Sequence, residues 1–115
     1  MGVEYIFVEK QNTGYKIIDN KMDEKMTRNV IDVASSAIFS NKPIDKQCEY
    51  IKNRLGEFYS NICWSVFIYT NGYCNVSYDD NLYICGQANG NFIIVFGHYN
   101  TQNNQDNQDD SKSSN

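Results

Sequence analysis

Tyr59-Ser60-Asn61-Ile62-Cys63-Trp64-Ser65-Val66-Phe67-Ile68-Tyr69 is the stretch in which the spacing of apolar residues changes from helical to strand-like. From Trp64 onward the period is two: Trp64, Val66 and Ile68 face one side, while Ser65, Phe67 and Tyr69 face the other. Before it, the steps are three and four. Ile44, Cys48, Ile51, Leu55 and Phe58/Tyr59 form an apolar stripe on a helix, Lys46, Lys52 and Arg54 fall off it, and Ser60-Asn61 ends it. Further upstream Met26, Val30, Val33, Ala34, Ala37 and Ile38 repeat the pattern. Asp23, with Glu24 behind it, provides an N-terminal cap at the positive end of that helix. Ser40-Asn41-Lys42-Pro43 separates the two helices, since proline fits a first turn but not a helix interior.

Working outward on the other side, Asn71-Gly72 is the strongest short turn signal in the chain. A more polar strand is expected over Tyr73–Tyr78, broken by Asp79-Asp80-Asn81. Leu82–Cys85 and Phe92–Phe96 then bracket a second turn at Asn89-Gly90. Phe92-Ile93-Ile94-Val95-Phe96 is apolar on both faces, which predicts a central strand covered on each side. Ahead of the helices, Val3–Val8 and Tyr15–Asp19 are β-rich runs around Gln11-Asn12-Thr13-Gly14; either they form a hairpin or only the second joins the sheet. Three parts follow: an extension over 1–14 able to add a strand, a domain over 15–98, and an Asn/Gln/Asp-rich tail over 99–115. The tail is expected to be disordered, because it has too little apolar surface to offset its ordering entropy.

A chain of 115 residues supports one core, and 41% hydrophobic residues suffice to fill it. Nine tyrosines suit partly covered faces, each joining a packing ring to a hydroxyl that stays wet. The net charge of −4 and the lack of a Lys/Arg cluster argue against nucleic acid as a partner. The four cysteines (Cys48, Cys63, Cys74 and Cys85) make no C-x-x-C pair, and the single histidine, His98, is expected beyond the last strand. No metal site or cofactor is therefore expected. Residues 1–20 lack the apolar core of a signal peptide, so the cysteines are read as reduced and mostly buried small hydrophobes. No run reaches the length of a membrane-spanning helix. A soluble, intracellular protein is expected. A cysteine-based enzyme would need a thiolate with a cationic neighbour, and the predicted core offers no histidine, so no enzymatic activity is expected. A sheet assembled last, with exposed edges, instead fits a module that accepts a partner's extended segment as an extra strand.

Met22-Asp23-Glu24-Lys25-Met26, Ala34-x-x-Ala37, Ile51-Lys52, Tyr59, Trp64 and the final aliphatic strand resemble the smallest, hub-type dynein light chains. Asn81-Leu82-Tyr83-Ile84 through Phe92–Phe96 is most similar to the axonemal branch, and the resemblance covers residues 15–97. It implies an α+β fold of order β-α-α-β-β-β-β: an antiparallel sheet packed on two helices, paired as a homodimer by exchange of the third strand. It implies a non-catalytic light chain that takes extended segments of dynein intermediate chains into two grooves by β-augmentation. It also implies a place in the cytoplasm and cytoskeleton, or in the axoneme of a cilium. The alternative is a general dimerisation hub for short linear motifs, independent of the motor. Carried over by position, the groove strand is 71–78, with Asn71, Tyr73, Asn75 and Ser77 towards the guest peptide. Asp45 and Lys46 stand where the family holds a guest glutamine. Trp64, Ser65, Phe67 and Val76 fall at the implied dimer interface. Ser65 replaces the family's interface histidine, so a switch based on histidine charging does not operate there. Asn71-Gly72 leaves two outcomes open, a third strand folded back at home or one sent across to the partner.

Overall fold

The computed structural model describes residues 14–100. Within them β1 (Lys16–Asn20), α1 (Glu24–Ile38), α2 (Ile44–Phe58), β2 (Ile62–Tyr69), β3 (Tyr83–Ala88) and β4 (Asn91–Tyr99) follow in chain order. Val3–Val8 and residues 101–115 lie outside the described residues.

Asp23 caps α1 as its sequence predicts: its backbone is extended and its Oδ1 accepts from the Met26 N–H at 2.8 Å. Val30, Val33, Ala34, Ala37 and Ile38 are buried, as their spacing requires, and Ile31 and Ser35 are buried with them. The covered face of α1 is thus wider than one stripe. In α2 the reverse holds. Only Ile51 and Leu55 are fully covered, while Ile44 and Phe58, expected on the stripe, are exposed.

The strands form one sheet of order β1-β3-β4-β2, antiparallel throughout. β4 is paired at both edges, and its faces are covered by the helices on one side and by residues of the 70–82 connection on the other, which accounts for the doubly apolar run at Phe92–Phe96. It also runs further than that run indicated. His98 stands within β4 opposite Cys63, and Tyr99 opposite Ile62, so neither begins a tail. Polar residues continue the strand because the ladder needs only their backbone. Asn100 then ties the end down, with its N–H on the Asn61 carbonyl at 2.8 Å and its Nδ2 on the Ser60 carbonyl at 3.2 Å. The expected turn at Asn89-Gly90 joins β3 to β4, with φ of +56° and +78°, the paired positive values that a two-residue hairpin turn demands.

Register sorts the side chains. Trp64, Val66 and Ile68 of β2 share the helix-facing side with Ile93 and Val95 of β4 and with Ile84 of β3. At Gly86 in β3 the Tyr15 ring lies so close that a Cβ would fall inside it. Trp64 packs against Tyr59 with ring centroids 5.9 Å apart, and its buried Nε1 has no hydrogen-bond partner among the described residues.

One expected element differs. Residues 71–78 form no strand and pair with none, so three strands follow the helices rather than four, and the order is β-α-α-β-β-β. The reason lies in the topology. β2 and β3 flank β4 and both run antiparallel to it, so they are parallel to each other, and the connection at 70–82 must cross β4. Gly72, at φ +84°, turns the chain onto the sheet face away from the helices instead of closing a hairpin on β2. The cysteines also differ from expectation: only Cys85 is buried, Cys48 and Cys74 are half-buried, and Cys63 is exposed.

Candidate functional site

The crossover keeps the alternation of a strand without its ladder. Cys74, Val76 and Tyr78 are half-buried against Cys85, Ile94 and Phe96, while Tyr73, Asn75 and Ser77 are exposed. Among the described residues no main-chain hydrogen bond joins 71–78 to a strand. The first such bond comes at Asp79, whose N–H donates to the Gly97 carbonyl at 3.0 Å. Asp79 also clasps the end of β4 with its side chain: Oδ2 accepts from the Tyr99 N–H at 2.6 Å, and Oδ1 lies 3.4 Å from His98 Nδ1. Tyr78 stacks on Tyr83, with centroids 4.6 Å apart and planes 22° off parallel. The C-terminal end of the crossover is therefore anchored, and the part before it is held by side chains alone.

The eight-residue β2 is paired on one side only, with β4. Its outer edge presents main-chain donors and acceptors to whatever lies beside it. A groove of about 530 Å³ is lined by residues 66–69 of β2, Cys48 of α2, and Asn71, Tyr73 and Cys74 of the crossover. Phe67 is 42% exposed and Tyr73 is 89% exposed, large apolar areas for a surface with no function. Burial pushes the Cys48 thiol above its ordinary range. A hydrogen bond with the Ile68 backbone works against this, and the nearby Asp45 carboxylate adds to it.

The site residues expected from sequence are not all brought together. Asn71 and Tyr73 line the groove, and Asn75 and Ser77 continue along the exposed side of the same segment. Asp45 is in the first turn of α2, within electrostatic reach of Cys48 on the groove wall. Pro43 precedes that turn without a side-chain cap. Lys46 borders a different hollow, of about 440 Å³, between α1 and α2, where its Nζ lies 3.5 Å from Glu49 Oε1. Ser65 and Phe67 lie on the face away from the helices, and Val76 packs on that face. Trp64 lies on the opposite, helix-covered side. Sequence reasoning missed the Asp79 clasp, which it read only as a break, and missed Cys48 and Tyr69 in the groove wall. The period-two register of 74, 76 and 78 was the available signal for which side of the crossover turns inward.

Among the described residues no group of His, Cys, Asp and Glu is arranged to hold a metal ion, and no helix is long and apolar enough to cross a membrane. A two-helix layer on a four-stranded antiparallel sheet, with an edge strand paired on one side only and an unladdered crossover, defines a small α+β class. The family described as dynein light chain type 1 matches residues 15–98, and the chain belongs to the dynein light chains. Its fold is similar to that of the dynein light chain-like domain of the Fasciola hepatica calcium binding protein FhCaBP2. In a native crystal the TM-score is 0.62 at 17% identity, over 71% of this chain and 88% of that one. For a mercury derivative the values are 0.62 and 18%, over 73% and 91%. No curated protein matches the chain.

Proposed function

We propose that the chain is a non-catalytic dynein light chain that works as a homodimer. Its crossover leaves its own sheet to pair with β2 of the partner, and the new outer edge takes an extended peptide. Dynein intermediate chains are the proposed guests, and assembly of the motor complex in the cytoskeleton or the axoneme is the proposed role. The observation that carries this reading is the state of residues 71–78: alternating in burial from Tyr73 to Tyr78, and unladdered beside an edge strand that lacks a neighbour. Backbone groups left in that condition are satisfied when a second chain supplies the missing strand. Exchange costs little, because the contacts made at home are remade with the partner. Tyr73, Asn75 and Ser77 then face the guest, and Asp45 stands at the end of the groove. Two grooves on one dimer hold two copies of the guest, and engagement of the second gains from effective concentration.

Sedimentation velocity on the full chain, followed by titration with an intermediate-chain fragment, tests this directly. A dimer binding two fragments per two chains is expected. A chain that stays monomeric at every concentration and takes up no fragment overturns the reading.

A further inference from the structure

We infer that Cys74 and Cys85 form a reversible redox pair, whose disulfide pins the crossover to its own sheet and keeps the chain from exchanging it. The inference rests on the dimer reading for its consequence, though not for the bond itself. Both thiols belong to one small cluster on the face away from the helices: Cys85 is buried on β3 opposite Ile94, and Cys74 packs against the same cluster from the crossover. Tyr69 packs against the same cluster and hydrogen-bonds the Cys74 backbone, which holds that residue on the face that Cys85 occupies. Of the remaining cysteines, Cys63 is exposed opposite His98, and Cys48 packs on the helix-side core although it lines the same groove as Cys74, so it is the competing partner in the test. Position gives the pair its effect. Asp79 already fixes the C-terminal end of the crossover, and Cys74 is where a covalent tie would fix the other part.

A peroxide is the oxidant. The more accessible Cys74 thiol gives up its proton, its thiolate attacks one peroxide oxygen and the O–O bond breaks, leaving a sulfenic acid and a hydroxide that takes up the released proton to become water. Cys85 sulfur then attacks the sulfenic sulfur and the S–O bond breaks. The leaving hydroxide takes the Cys85 proton and departs as a second water. Two thiols are oxidised to one disulfide and one peroxide is reduced to two waters. Burial pushes the Cys85 thiol up, so the half-buried Cys74 takes the first step and Cys85, in the same cluster, takes the second. A thiol reductant reverses the bond.

The test uses the full chain carrying Cys63→Ser, treated with hydrogen peroxide and then with dithiothreitol. Intact mass, peptide mapping and sedimentation velocity are read at each stage. The expected result is the loss of two hydrogens per chain, a Cys74–Cys85 peptide link, and conversion of dimer to monomer that dithiothreitol undoes. Cys74→Ser and Cys85→Ser should each remain dimeric after the same treatment. Cys74 is half-buried on the crossover, so its variant carries the test even if the Cys85 variant folds poorly. A Cys48–Cys74 link, no link at all, or linked chains that still dimerise overturns the inference. A chain already monomeric before peroxide overturns the dimer reading instead, and a mapped Cys74–Cys85 bond in that chain still supports the pair.

Discussion

Ile84 and Val95 on the helix side of β3 and β4 are wholly covered, whereas Phe67, on the other side of the same sheet, is 42% exposed. The first side is closed by α1 and α2, which carry their own hydrogen bonds and dock through side chains spaced for the purpose. The second is closed by a single segment whose backbone at 71–78 pairs with no strand. A helix is satisfied before it packs, but a strand is satisfied only by a neighbouring strand. One cover is therefore permanent, and the other leaves main-chain groups open to a new partner. That difference separates what holds the domain together from the face on which the proposed binding rests.

The largest expected effect breaks the permanent side. Ile84→Ala removes a fully buried side chain and should cost about 2–5 kcal/mol in urea unfolding. Gly86→Ala forces a methyl group into the Tyr15 ring and should cost about 1–3 kcal/mol by the same measurement. A loss near zero would mean that Tyr15 is free to move away. Asp23→Ala unties the first turn of α1 and should lower stability by about 0.5–2 kcal/mol, visible as a shifted midpoint at unchanged slope. On the second side, Phe67→Ala should change unfolding by less than about 1 kcal/mol. The same variant should weaken self-association in sedimentation, and a large loss of stability without that weakening would erase the distinction between the faces.

The smallest effect is silent at neutral pH. Burial holds the Tyr15 hydroxyl far above its ordinary range, with the nearby Cys85 and Tyr83 adding to the shift. The unfolded chain loses that proton from about pH 10 upward while the folded chain keeps it, so stability falls as pH rises past that point. Tyr15→Phe should flatten this alkaline decline, measured as unfolding midpoint against pH. An unchanged slope would assign the decline to other groups.

Much of the permanent side was legible in the sequence, because its signals are local. The stripe from Val30 to Ile38, the cap at Asp23, the turn at Asn89-Gly90 and the double apolar character of Phe92–Phe96 each depend on neighbours a few residues away. The second side depends on long-range pairing. Asn71-Gly72 carries the signature of a hairpin, yet the strand it would return along is not the one that β2 pairs with. Likewise nothing local marks His98 and Tyr99 as strand residues, since their places follow from Cys63 and Ile62 far upstream. For the groove, the family resemblance rather than composition named Tyr73, Asn75 and Ser77, and the register of the crossover leaves those three exposed while Cys74, Val76 and Tyr78 are half-buried.

β4, the one neighbour to which β2 is bonded, follows every other strand in the chain. During synthesis β2 therefore emerges with no mate and must wait, apolar on its inner side, until the last ladder partner has left the ribosome. Its assembly is late and all at once, and in that interval a nascent copy is most exposed to capture by chaperones or by a neighbouring chain.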